Sequence, residues 1–127
     1  MLYNIADMKD NKKMQQITDE INTIKTQLGE LGAMHPGGIS EQYQRCYNPT
    51  CKCMREKDPQ KHGPYHKLSY VYHGKSTCRF VRAACVEEMK KRVENYKKFR
   101  SLMDRWVELS IEQGMTDIFN RSKKSEE

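Results

Sequence analysis

Apolar residues are scarce in this chain and nowhere run long. They make up 36% of its 127 residues, and no stretch approaches the eighteen or so consecutive apolar residues of a membrane span. A large globular core is therefore unavailable, and a role inside the bilayer is not expected. Three Phe and one Trp stand against seven Tyr, so most of the aromatic surface carries a polar tip. Cysteine is odd in number, at five, and no apolar leader precedes a small-residue cleavage site, which argues against a secreted disulfide framework and for a cytoplasmic protein. Catalytic signatures are also missing: there is no phosphate-cradling glycine loop, no recognisable Ser-His-Asp order and no carboxylate pair dividing acid and base roles. The chain is expected not to be an enzyme. A thiol nucleophile, Cys78 with His66 or His73 as its base, is the one catalytic arrangement to check, because those groups would have to meet in space.

What is present concentrates in RCYNPTCKCMREKDPQKHGPYH. Cys46, Cys51, Cys53 and His62 fall within seventeen residues and offer the sulfur and nitrogen donors of a structural zinc site, closed because all four ligands come from the protein. Their neighbours Arg45, Asn48, Lys52, Arg55, Glu56 and Lys57 are not the setting in which inert core cysteines sit.

Periodicity places helices on either side. Met14, Ile17, Ile21, Ile24, Leu28 and Leu31 alternate three and four apart, predicting an amphipathic or coiled-coil helix from about Met8 to Leu31. Gly32 and His35-Pro36-Gly37-Gly38 stop it. A second helix is predicted from Ala84 to about Gln113, closed by Gly114. One of its stripes runs through Val86, Met89, Val93, Tyr96, Met103 and Val107, and another through Phe99, Leu102, Trp106 and Leu109. One stripe would close an intramolecular helix pair and the other would pair with a second copy, so a homodimer is expected.

Tyr65 to His73 and Ser76 to Arg82 are rich in β-formers around a His73-Gly74-Lys75 turn, which predicts a two-stranded β-hairpin. The expected fold class is α+β, mainly α: two antiparallel helices, a long coiled-coil-like hairpin, with a zinc loop and a β-hairpin inserted between them. The expected division is an N-terminal helix (1–37), a basic zinc loop and hairpin (38–82), a long C-terminal helix (83–114), and a short turn with a disordered tail (115–127).

Charge is segregated along the chain. Residues 42–82 hold nine Lys/Arg and two Asp/Glu, net +7, while residues 1–41 are net −2 and residues 83–127 net +1. Arg45, Lys52, Arg55, Lys57, Lys61, Lys67, Lys75, Arg79 and Arg82 interleave with tyrosines, of which Tyr65, Tyr70 and Tyr72 lie in the predicted hairpin. Basic groups neutralise phosphates and tyrosine rings can stack bases, so this segment is the candidate nucleic-acid surface, for DNA or RNA. On the second helix Lys90, Lys91, Lys97 and Lys98 alternate with Glu87, Glu88 and Glu94, the pattern of a solvated face carrying ion pairs.

These residues carry a resemblance. The segment resembles a family of small, uncharacterised bacterial and archaeal proteins whose pattern is R-C-G-K-x-x-C-x-C, then H-G-P-Y and a strand, a G-K turn, and a helix with V-x-x-Y-x-x-F-R. Here these elements are Arg45-Cys46, Cys51, Cys53, His62-Gly63-Pro64-Tyr65, Gly74-Lys75, and Val93, Tyr96, Phe99 and Arg100. Tyr47 and Asn48 stand where the pattern has glycine and lysine. The likeness spans about residues 38–109. Some members are labelled as associated with transposases or other mobile elements, which implies a DNA context. His62 falls inside the family-like element and is the preferred fourth ligand. His66 would sit on a strand, His73 in a turn, and Cys78 would need its strand to fold back over the loop. Two functions follow as expectations: a small zinc-stabilised nucleic-acid-binding protein, or a coiled-coil adaptor with a structural zinc site that docks on a protein of a mobile-element or nucleic-acid-processing complex.

Overall fold

The computed structural model describes residues 5–46, 48–57 and 60–121, with side chains from residue 11 onward. The tail from 122 on, expected to be disordered, lies outside the described residues. Helix α1 is Ile5–Glu30, strand β1 Gly38–Gln44, β2 His62–Tyr72, β3 Lys75–Val81, and helix α2 Val86–Gly114. Short 3₁₀ turns occupy Lys52–Met54 and Ala83–Cys85. Two compact units result: the terminal segments, up to Leu31 and from Lys98 on, form one, and Gly32–Lys97 forms the other.

In the first unit the three-four spacing of α1 does what it predicts. Ile17, Ile21 and Ile24 are buried with Leu109, and Met14, Leu28, Leu102 and Trp106 pack against them. Arg105 braces this core, donating from Nε to Glu20 Oε1 at 2.7 Å and from Nη2 to Oε2 at 3.0 Å. A second ion pair joins it to Glu108 at 3.1 Å. The hydrogen bond from Arg105 holds the Glu20 carboxyl below its ordinary range. A depressed carboxyl stabilises the fold at neutral pH and stops doing so as acid protonates it.

The second unit corrects the expected fold class. It contains a three-stranded antiparallel sheet in the order β1-β2-β3, not a two-stranded hairpin set between a coiled-coil pair. Strand β1 (GISEQYQ) lacks the Val-rich composition of a strand and is held through its backbone: Gly38 faces Ser69, Ile39 faces Leu68, Ser40 faces Lys67 and Glu41 faces His66. β2 and β3 pair from His66↔Val81 to Tyr72↔Lys75. His73 and Gly74, with φ of 49° and 77°, make the two-residue turn whose twist suits a hairpin. β2 is thus the central strand. Pro64 is accommodated in it because it lies beyond the reach of β3 and at the register shift between Gln42 and Gln44.

The coiled-coil expectation also fails for a physical reason: the apolar stripes of α2 do not serve one continuous seam. Val86 and Val93 are buried in the sheet unit, as is Leu68, whereas Met103 and Val107 on the same stripe are exposed. Gly114 does not end the helix. It keeps helical angles, φ −62° and ψ −39°, and the chain continues into a π-helical turn at Met115–Phe119.

Gly37 fixes the entry to β1. Its φ is +106°, and a Cβ there would collide with the Ser69 carbonyl oxygen, so only glycine fits. Next to it the His35 N–H donates to the Arg92 carbonyl at 3.0 Å, and Asn95 Nδ2 donates to the Ala33 carbonyl at 2.9 Å. These bonds tie the start of α2 to the strand entry.

Leu109 is 1% exposed. Leu109→Ala is expected to lower the unfolding free energy by about 2–5 kcal/mol, read from chemical denaturation followed by circular dichroism. A loss below about 1 kcal/mol would mean that Leu109 is not central to this core.

Candidate metal centre

The four candidate ligands come from the loop that joins β1 to β2 and from the first residue of β2. Cys46 lies two residues past the end of β1, Cys51 precedes the 3₁₀ turn, Cys53 sits within it, and His62 opens β2. Antiparallel pairing of Gln44 with His62 closes the loop at its base and brings the first and last ligands to the same end of the sheet. Short-range bonds shape the interior. The Asn48 side-chain oxygen accepts from the Thr50 N–H at 3.2 Å and from its hydroxyl at 2.8 Å, a local turn that asparagine favours. The Cys51 N–H donates to the Asn48 carbonyl, the Met54 N–H to that of Cys51 and the Gln60 N–H to that of Lys52, at 3.0, 3.0 and 3.1 Å.

As a result the Sγ atoms of Cys46, Cys51 and Cys53 and a ring nitrogen of His62 all lie within 4.8 Å of one another. Cys46 and Cys53 Sγ are 3.2 Å apart, and Cys51 Sγ is 3.1 Å from His62 Nε2. Tetrahedral zinc bonds of 2.0–2.3 Å require ligand separations of about 3.6–3.8 Å, which these distances bracket. The cluster can hold a metal ion. Cys53 is fully buried and the other three half-buried, as suits ligands shielded on one side.

The thiols are electrostatically unequal. Hydrogen bonding with the Asn48 backbone, then with Cys53, Cys51 and His62, pulls the Cys46 thiol down to about 6. Burial and the neighbouring Cys46 push Cys53 up to about 11. Cys53 Sγ nevertheless receives the Cys46 backbone N–H at 3.1 Å, a contact suited to a metal-bound thiolate. Gly63 has φ of +145°, and a Cβ there would come within 2.8 Å of the Gln42 carbonyl oxygen. The glycine lets β2 leave His62 against β1.

None of the competing ligands joins the cluster. His66 stands on the sheet, 3.4 Å from Glu41, an ion pair whenever the imidazole is protonated. His73 occupies the hairpin turn beside Tyr72, their rings 4.0 Å apart. Cys78 Sγ is 3.3 Å from the Ser69 hydroxyl, and Cys85 is exposed. His35 bonds through Nδ1 to the Pro36 carbonyl at 2.7 Å and meets Tyr70 edge-on at 4.8 Å. Strand alternation puts Cys78 and His66 on opposite faces of the sheet, so the structure does not bring this thiol and this base together.

The sequence profile of one family, a domain of unknown function (DUF6788), matches residues 14–91, more than half of the chain. The chain belongs to the DUF6788 family. The matched segment includes most of α1, the whole sheet, all four ligands and the start of α2. No curated protein and no solved structure matches the chain.

The basic residues are spread more widely than the sequence suggests. Arg45, Lys52, Arg55, Lys57 and Lys61 are exposed in or beside the loop that carries the candidate ligands. Register divides the others: Lys67 is on the sheet face opposite to that of Arg79, with Lys75 at the hairpin turn and Arg82 just past β3. The tyrosines divide as well. Tyr65 and Tyr72 are 41% and 66% exposed, whereas Tyr70 is half-buried beneath His35. Phe80, absent from the sequence-based list, is 61% exposed and its ring lies 6.2 Å from that of Tyr65. The alternation of Ser76, Cys78 and Phe80 in β3 carried that signal, because a face with two small polar neighbours is a poor core face.

Replacing Cys51 with Ser is expected to abolish stoichiometric metal binding, measured as metal per chain by native mass spectrometry. Cys78→Ser and Cys85→Ser should each retain one equivalent. Loss of the metal from either of those two variants would displace the proposed ligand set.

Proposed function

We propose that this DUF6788 protein is a small zinc-stabilised nucleic-acid-binding protein whose basic metal loop and sheet contact phosphates. Zinc is the ion that three thiols and an imidazole in a closed set suit best: the soft sulfur donors select against magnesium and calcium, and no ligand position is left for a reacting water. The metal's role in this reading is to fold the loop.

The observation that carries the proposal is the state of the cations. Of the nine Lys and Arg in residues 42–82, eight are exposed and Lys67 is half-buried. Among the described residues none of the nine forms an ion pair, while three cations elsewhere do: Lys90 with Glu87 at 3.7 Å, Arg92 with Glu88 at 2.8 Å, and Arg105 with Glu20 at 2.7 Å. A concentration of unneutralised positive charge on one ordered unit favours a polyanion. The mobile-element setting implied by the motif resemblance agrees with that ligand class.

We further propose a homodimer formed along α2. Met103, Val107, Ile111 and Met115 recur every four residues and are 37%, 54%, 63% and 57% exposed. A fold-back of residues 115–119 could have covered them, but the chain stays helical through Gly114. A second copy offers the same stripe in return. Val107→Glu combined with Ile111→Glu is expected to shift the mass seen by light scattering from dimer to monomer. A wild-type monomer at micromolar concentration would remove this part of the proposal.

Nucleic-acid affinity should fall steeply with salt. Joint replacement of Arg55, Lys57, Lys61 and Lys67 by Ala should abolish it at moderate salt, flattening the logarithmic salt slope by about one for each phosphate contact removed. The adaptor alternative makes the opposite expectation: association with a protein partner that survives nuclease treatment and the same four substitutions.

A further inference from the structure

The sheet has one covered and one open face. On the first, Leu68 is buried and Tyr70 half-buried. On the second, Tyr65, Val71 and Phe80 are 41%, 62% and 61% exposed, and Lys67 lies directly opposite Phe80 in the ladder. Exposed Tyr and Phe rings 6.2 Å apart, inclined at 70°, are a large apolar investment for a chain with so few apolar residues.

Their position narrows the choice of occupant. Tyr65 and Phe80 stand at the end of the sheet where β1 gives way to the metal loop and β3 to Arg82. Lys67 is beside the rings, and Lys61 and Arg82, both exposed, follow at the strand ends. A second copy of the same face would bring like charges together, which disfavours self-pairing. A polyanion with flat apolar groups between its charges is complementary to both features. In a duplex the base faces are already stacked on each other and out of reach of rings on a sheet, whereas unpaired bases present theirs.

We infer that this face is a platform for an unpaired nucleic-acid strand, with a base stacked on each of Tyr65 and Phe80 and phosphates held by Lys67, Arg82 and Lys61. This deepens the nucleic-acid reading above and rests on it. The platform is sequence-tolerant, because every base offers a π face. Tyr70 and Tyr72 take no part: one is covered by His35, and the other is at the far turn against His73.

The test uses the metal-loaded chain with a fluorescently labelled mixed-sequence single-stranded DNA and the corresponding duplex, followed by anisotropy across a range of salt. The single strand is expected to bind about ten-fold or more tightly than the duplex. Phe80→Ala and Tyr65→Ala should each weaken single-strand binding by about five-fold or more with the salt slope unchanged, while Tyr65→Phe retains binding. Metal content measured on each variant establishes that the sheet unit is intact. Salt-dependent binding that ignores Phe80→Ala, or that favours the duplex, overturns the platform and leaves the phosphate-contact reading standing. Absence of binding to either probe at low salt removes both. Self-association of the wild type that Phe80→Ser abolishes would assign the face to a second copy and overturn the proposal.

Discussion

The loop between β1 and β2 has almost nothing apolar to hold it, so its order depends on the convergence of Cys46, Cys51, Cys53 and His62. Among the described loop residues only Cys53 is buried, and the backbone bonds that shape the loop are few and local. Ordering a residue costs about 1–2 kcal/mol of backbone entropy, which a handful of exposed turns cannot offset. A cation bound by the four ligands would supply the missing term and neutralise the thiolates that otherwise repel one another. The Gln44↔His62 pairing transmits that constraint to the sheet.

The two units are therefore stabilised by different physics. The unit formed by the terminal segments has a conventional core around Ile17, Ile21, Ile24 and Leu109, braced by the ion pairs of Arg105 with Glu20 and Glu108. The sheet unit buries Leu68, Val86 and Val93 and leaves most of its positive charge exposed. Unpaired cations destabilise a compact unit by self-repulsion. In the reading proposed above, a polyanionic ligand would relieve that repulsion.

The helices and ligands were legible because their signals are local. Three-four spacing marks α1, and four ligand-type residues in a polar segment stand out against any apolar background. Strand β1 was not legible, because a strand held chiefly by main-chain pairing to a neighbour leaves little trace in Gly-Ile-Ser-Glu-Gln-Tyr-Gln. The coiled-coil expectation failed through the same locality. A stripe on α2 is read as one surface, yet Val93 and Val107 meet different surroundings once the sheet claims the first turns of the helix. Gly114 misled because an isolated glycine weakens a helix by only about 1 kcal/mol and does not by itself terminate one. Which basic and aromatic residues share a face depends on the β2–β3 register, which the two-residue turn at His73 and Gly74 sets, one residue shorter than the expected His73-Gly74-Lys75 turn.

The central claim is that metal binding orders the loop and, through it, the β1–β2 end of the sheet. Amide hydrogen exchange on the metal-loaded and chelated protein tests it most directly. The account predicts that chelation strips protection from residues 45–57 and from the start of β2, while the α1 segment around Ile17 to Ile24 keeps its own. Unchanged protection of the loop after complete metal removal would contradict it.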